Sequence, residues 1–199
     1  MTTVGLDGQA NLAPMGPVVT HGDAMHSDEQ RDPGFVLRPF EGSRTFRNLK
    51  STLRATIHVT DDAALFANAA VGRIRNPSAM VRRSPDGQWA ILNRCHRWFA
   101  VEVISVVETP PRYEMRCRVI DSAIESPFFG FNRAKHAVIE AAILATRTHL
   151  ISRDEIDSQL KALRPLVEKT AGDRDREAFE MLNDEIAERI NQNASTGMA

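Results

Sequence analysis

The 199-residue sequence predicts an α+β protein on three observations. Short β-branched, alternating runs bounded by Gly, Pro and Asp fill roughly its first two-thirds. Longer runs with apolar residues at three- and four-residue spacing fill the remainder. The composition, 42% hydrophobic and 26% charged, is that of a chain with enough apolar residues to bury a core.

Residues 2–5 and 11–20 read as two strands joined through Leu6-Asp7-Gly8-Gln9, since Asp-Gly tolerates the positive φ of a tight hairpin. Pro14, Gly16 and Pro17 make the second of these bend or lie at an edge. Residues 21–34 have no period and read as a loop. Phe35 to Phe40 is a short strand. A helix starts at Ser43 or Thr45 and runs to about Leu53, with Phe46, Leu49 and Leu53 on one face. Residues 54–60 (RATIHVT) read as a strand, and Asp61 or Asp62 caps the next helix, which holds Leu65, Phe66, Ala69 and Ala70. Residues 74–87 read as another loop. Residues 97–108 and 112–120 form an antiparallel pair around Thr109-Pro110-Pro111.

Three helices follow. Residues 132–150 are Ala-rich and apolar almost all round. Ser152-Arg153-Asp154-Glu155 is a capping box opening a helix that kinks or ends near Pro165. Asp173 caps the last helix, whose stripe is Phe179, Leu182, Ile186 and Ile190, and a frayed tail is expected from residue 191.

Charge and motifs narrow the function. A formal charge of −1 argues against a dedicated nucleic-acid binder, which needs clustered cations against phosphates. No apolar run is long enough to span a membrane, and the first residues lack a signal-peptide pattern. Two cysteines, Cys95 and Cys117, make no disulfide framework, so both are expected reduced and the simplest compartment is the cytosol. The six histidines and two cysteines show no metal-ligand spacing, and no nucleophile elbow or phosphate-cradling glycine motif is present.

Two stretches carry chemistry. In Ser43-Arg44-Thr45-Phe46-Arg47-Asn48-Leu49-Lys50, hydroxyls and unpaired N–H groups meet Arg44, Arg47 and Lys50, with Arg38 just upstream. Cations in a first helical turn oppose the macrodipole unless an anion compensates, so a phosphate is one reading; a solvated, N-capped surface helix is the other. In Ser126-Pro127-Phe128-Phe129-Gly130-Phe131-Asn132-Arg133-Ala134-Lys135-His136, the phenylalanines could floor a planar ligand or anchor a helix entry. Arg133, His136, Glu140 and Arg147 then form a polar line that is either a site, an interface or a solvated stripe.

Taken together, Asn11-Leu12-Ala13-Pro14-Met15-Gly16-Pro17, Arg38-Pro39-Phe40, Thr45-Phe46-Arg47-Asn48-Leu49 and His58-Val59-Thr60-Asp61-Asp62 resemble flavin-reductase-like split barrels. With Phe128-Phe129-Gly130-Phe131-Asn132-Arg133-Ala134-Lys135-His136-Ala137 and Val167-Glu168-Lys169-Thr170, the chain is similar to one family within them, domain-of-unknown-function family 447, found in methanogens, planctomycetes and methylotrophs. The resemblance spans about residues 2 to 190. It implies a six-stranded antiparallel split β-barrel over residues 1–131, with a helical region over 132–190 packed on it and a disordered tail over 191–199. It also implies an FMN site and a homodimer that helps to form that site. Pro14 and Met15 would face the isoalloxazine, Arg38, Ser43, Thr45, Arg47 and Asn48 would surround the phosphate or the ring's polar edge, and Lys135 or Arg133 would come in beside it. The function implied is a flavin-dependent oxidoreductase acting on a small molecule, associated with methanopterin-type one-carbon metabolism. A non-catalytic flavin carrier or sensor, or a barrel holding another phosphate-bearing ligand, is the alternative. No catalytic acid or base is implied, nor any metal, nucleic-acid or membrane partner.

Overall fold

The computed structural model describes residues 1–20, 34–110 and 112–196. Nine strands and five α-helices follow in order among them: β1 (Thr2–Val4), β2 (Ala10–Leu12), β3 (Val18–Thr20), β4 (Gly34–Leu37), α1 (Arg44–Thr52), β5 (Arg54–Val59), α2 (Ala63–Ala70), β6 (Val81–Arg83), β7 (Ala90–Leu92), β8 (Arg97–Thr109), β9 (Arg112–Ile124), α3 (Arg133–Ala145), α4 (Arg153–Thr170) and α5 (Asp173–Thr196). They form two compact units, one of Met1–Thr60 with Asn76–Pro127, the other of Asp61–Arg75 with Phe128–Ala199. The boundary therefore differs from a single cut at residue 131. Ala63 and Ala67 of α2 are buried among Ala137, Ala141 and Phe179, so burial assigns α2 to the helices although strands flank it in sequence.

In the sheet unit, seven strands run in the order β2-β1-β5-β8-β9-β4-β3, with every recorded neighbour antiparallel. The count is seven where six is expected, because the 11–20 run is two strands. β2 pairs with β1, and β3 pairs with β4 at the far edge of the same sheet. Only residues 13–17 connect these two edges. A fully extended link between Leu12 and Val18 covers about 20 Å. Six flat interstrand spacings would need roughly 29 Å. The sheet must therefore curl until its edges approach, which is the split-barrel form. Pro14 and Pro17 keep this link out of both ladders, since proline has no N–H to give.

Inside the curl lies one apolar cluster: Phe35, Leu37, Phe46, Leu49, Ala55, Ile57, Phe99, Val101, Val103, Met115 and Cys117. Alternation along β5 and β8 puts these residues on one face and Arg54, Thr56, His58, Trp98 and Ala100 on the other. The second face is covered by a two-stranded ribbon of β6, which lies in the 74–87 stretch expected to be loop, and β7, just beyond it. Thr2 Oγ1 donates to the Ala90 carbonyl, and the Leu92 N–H donates to His58 Nε2 at 3.0 Å, tying the ribbon down. Three-residue strands leave too short a period to detect.

α1 is capped by Ser43, whose Oγ accepts the Phe46 N–H at 3.1 Å. Leu53 is not on its buried face. It is the left-handed C-cap (φ 56°) and is 45% exposed.

In the helical unit, Val138, Ala142, Ile156, Val167, Phe179, Leu182 and Ile186 form the core. Ser152 caps α4 as its capping box predicts, accepting the Glu155 N–H at 3.3 Å. α4 runs through Pro165 instead of ending there. α5 continues to Thr196, beyond the expected fraying at 191, while residues 197–199 and the 21–33 part of the expected loop lie outside the described residues.

Cys95 and Cys117 are buried and unbridged. Burial pushes the Cys117 thiol up to about 12 and raises Cys95 as well. Both should therefore stay unmodified by a thiol-specific disulfide reagent at pH 8 in the native protein and react at once in denaturant. Stoichiometric reaction of either thiol without denaturant would contradict this burial.

Candidate functional site

The start of α1 is where local structure leaves binding capacity unspent. The intrahelical ladder begins with the Arg47 N–H donating to the Ser43 carbonyl at 3.0 Å, and Ser43 Oγ takes the Phe46 N–H. The N–H groups of Arg44 and Thr45 thus have no intrahelical acceptor, and the helix dipole adds partial positive charge at the same place. There is no acidic residue in this first turn.

Arg44 and Arg47 belong to this turn, and Arg38 follows β4 upstream of it. Arg44 is 3.7 Å from Asp7, Arg38 is 3.1 Å from Glu114 on β9, and Arg47 donates to the Gly42 carbonyl. Exposed ion pairs of this kind contribute little, so an incoming phosphate can displace them at small cost. Gly42 has φ +80°, a conformation that suits glycine and brings the turn into α1.

Beneath this rim is a polar network that includes Thr45 and Asn48, two of the residues that the resemblance places around the ligand. Thr45 and Asn48 are both buried. Asn11 Nδ2 donates to Thr45 Oγ1 at 3.0 Å, and Asn48 Nδ2 donates to Thr3 Oγ1 at 3.0 Å. These bonds seat α1 on β1 and β2. Gly5 lies close to this network: a Cβ there would come 2.6 Å from Asp7 Oδ1 and 3.1 Å from Asn48 Oδ1, so both side chains would have to shift. Thr3 and Asn11 belong to this network and were missed; the only signal in sequence is their position on the hairpin that faces α1.

The remaining expected residues divide. Pro14 and Met15 lie on the link between β2 and β3, half-buried, with Met15 packed against the cluster that contains Phe46 and Leu49. Ser43, Thr45, Arg47 and Asn48 share α1 and its cap, and Arg38 follows β4. Lys135 belongs to the helical unit, where its Nζ lies 2.5 Å from Asp61 Oδ2. Asn132 caps α3 by accepting the Lys135 N–H. His136 and Glu140 are exposed and 4.0 Å apart, consistent with a solvated stripe. Phe129 and Phe131 are fully solvent-facing and anchor no helix entry in this chain.

Among the described residues no helix is long and apolar enough to cross a membrane.

Comparison with known proteins gives the following. Two family models match, "protein of unknown function (DUF447) N-terminal domain" over residues 1–126 and "protein of unknown function (DUF447)" over residues 132–184. Among solved structures, the chain is similar to an FMN-bound DUF447 protein from Methanosarcina mazei, at 21% identity and TM-score 0.74 over 92% of each chain. It also matches an FMN-binding protein from Thermus thermophilus with bound p-hydroxybenzaldehyde, at 15% identity and TM-score 0.51, over 62% of this chain and 69% of that one. The flavin reductase HpaC complexed with NADP+ matches at 12% identity and TM-score 0.52, over 64% of this chain and 78% of that one. At these identities the likeness establishes the fold, a flavin-reductase-like split barrel.

Proposed function

The chain belongs to the DUF447 family, and from that premise we propose that it binds FMN with the phosphate at the start of α1. The observation that carries this reading is the first turn of α1, with two N–H groups lacking helical acceptors and the exposed side chains of Arg44 and Arg47 on the same turn. The residues fit a phosphate: unpaired N–H donors and the positive charge of Arg44 and Arg47 share one turn, and Asp7, the acidic partner of Arg44, is exposed. In this reading Arg47 and Arg44 hold the phosphate, Ser43 and the Thr45 side chain keep the turn in shape, and Met15 offers an apolar surface to the ring. A bound flavin supplies the electron chemistry, and the protein supplies orientation and electrostatics.

The reading extends to a flavin-dependent oxidoreductase acting on a small molecule. The structural likeness to a flavin reductase supports this. Purified protein reconstituted with FMN should show a flavin visible spectrum that bleaches with NADH or NADPH. A bound flavin that ignores both nucleotides would favour the carrier or sensor reading instead.

The same reading includes a homodimer. β8 and β9 extend past their neighbours, since β5 pairs only with residues 97–102 and β4 only with 115–117. Their protruding part leaves Ile104, Val106 and Val107 about half exposed or more, apolar side chains that a second copy of the chain would cover. Sedimentation at micromolar concentration should give a dimer, and Val106→Lys should shift it toward monomer; a clean monomer for the parent would overturn the proposal.

A further inference from the structure

Within the helical unit α2 and α5 run parallel. Arg174, at the start of α5, bonds Asp62, the cap of α2, and Glu185 further along α5 pairs with Arg73, just past the end of α2. Ala63 and Ala67 on one helix and Ala178 and Phe179 on the other are buried in the common core. Beside that contact a cleft of about 340 Å³ opens between the two helices, lined by Ala64 and Asn68 of α2 and by Arg174, Glu177, Ala178 and Met181 of α5. Helical spacing explains the lining. Ala64 and Asn68 lie one turn apart, and residues 174, 177, 178 and 181 follow on successive turns of the facing ridge. The alanines are too small to fill the space between the helices, so they leave an apolar floor that Met181 continues at one end.

The polar groups at the other end stand apart. Arg174 and Glu177 are three residues apart on α5, a spacing at which opposite charges can pair, yet Arg174 turns to Asp62 instead. Both of its hydrogen bonds to that carboxylate come from Nη2, which leaves Nη1 and Nε available. Among the described residues Glu177 has neither a hydrogen bond from its carboxylate nor an ion pair. Asn68 gives its Nδ2 to the Ala64 carbonyl at 2.8 Å and keeps Oδ1 as an acceptor. One cleft therefore carries a cationic donor, then an anionic acceptor and an amide oxygen, then an apolar end about 10 Å along the helix from Arg174. The cationic donor lies toward the N-terminal ends of both helices, where the dipoles also favour a negative group. A plain anion would meet the Glu177 carboxylate, and a plain cation would meet the Arg174 guanidinium. A molecule with both charges a few bonds apart avoids either clash.

We infer that this cleft binds a free α-amino acid with an unbranched apolar side chain. Its carboxylate takes the open nitrogens of Arg174, its ammonium group is held by Glu177 and Asn68 Oδ1, and its side chain lies along Ala64 and Ala178 toward Met181. The site goes beyond the flavin reading and does not depend on it, because every lining residue belongs to the helical unit.

The test titrates L-norleucine into the full chain supplemented with FMN, with ¹³C-labelled methionine methyl groups, at about pH 6.5, below the ordinary α-amino range. Of the seven methionines, Met181 reports on the cleft, and its signal is identified by its loss in Met181→Leu. Saturable movement of that signal is expected. Hexanoate, which lacks the ammonium group, and L-norleucinamide, which lacks the carboxylate, should each bind about tenfold more weakly or worse. Arg174→Gln should weaken norleucine about tenfold and leave norleucinamide unchanged, and Glu177→Gln should weaken norleucine while hexanoate binds no less well. Both side chains are exposed, so both variants should fold, and an unchanged melting temperature checks that they do. A Met181 signal unmoved up to the solubility limit would overturn the site. So would equal binding of norleucine and either analogue, or an Arg174→Gln protein that binds norleucine as the parent does. Norleucine binding retained in α1 variants that lose FMN would separate this site from the flavin proposal.

Discussion

Arg47→Glu should weaken FMN binding by roughly thirty- to several-hundred-fold, the equivalent of about 2–4 kcal/mol. The change removes a charge-assisted hydrogen bond to the phosphate and places a carboxylate at a helix start that already has two N–H groups without helical acceptors. The loss comes from binding and not from folding, because Arg47 is exposed and its partner in the ligand-free protein is the Gly42 carbonyl. Riboflavin, which lacks the phosphate, should bind parent and variant alike and more weakly than FMN binds the parent. Arg153→Glu is the proper control. Arg153 is exposed, next to Asp157, in the first turn of α4, where a carboxylate suits the dipole. Arg189 on α5 would be a poor control, because it bonds Glu185 and the Ala145 carbonyl. Thr45→Ala should cost about 1 kcal/mol of stability through the lost Asn11 bond, with a smaller effect on FMN than Arg47→Glu. Equilibrium titrations with both flavins decide the matter. Equal affinity for FMN and riboflavin in the parent would remove the phosphate from α1.

Below pH 6.5 the protein should lose stability at up to about 1.4 kcal/mol per pH unit on account of His58 alone, or about 2–3 kcal/mol by pH 4.5. Burial lowers its pKa to about 2, and the nearby Arg82 guanidinium adds to the effect. The native ring therefore stays neutral while the unfolded ring takes a proton near pH 6.5. The unfolded state binds more protons throughout that window, so the His58 contribution to stability is full above 6.5 and falls as pH drops through it. Glu125 and Glu185, whose carboxyls are held low by hydrogen bonds from Trp98 and Arg189, add their own losses only below about pH 4.5. Urea unfolding at a series of pH values should show the slope, and His58→Gln, which keeps a polar group for the Leu92 N–H, should flatten it. A native-state NMR titration placing the His58 ring near pH 6.5 would eliminate the effect.

Much of this was legible in the residues. The α+β order, the Asp-Gly hairpin, the Ser43 and Ser152 caps and the Phe179, Leu182, Ile186 stripe are local, period-driven features, and each is found where the pattern puts it. The basic first turn of α1 was legible too, because charge against a helix dipole is a matter of neighbouring residues. Other features depend on partners distant in sequence. The split of residues 11–20 between the two edges of one sheet, and hence the seventh strand, depends on which strands are available to pair. The transfer of α2 to the helical unit depends on α3 and α5. Thr45 and Asn48 turn inward because Thr3 and Asn11 wait there, and the second face of β5 is closed by a ribbon too short to announce itself. Sequence alone determined the elements and the charge at α1; tertiary structure decided edges, unit membership and buried partners. Period and capping are set by residues within a turn or two, whereas pairing and burial are free-energy choices among segments tens of residues apart.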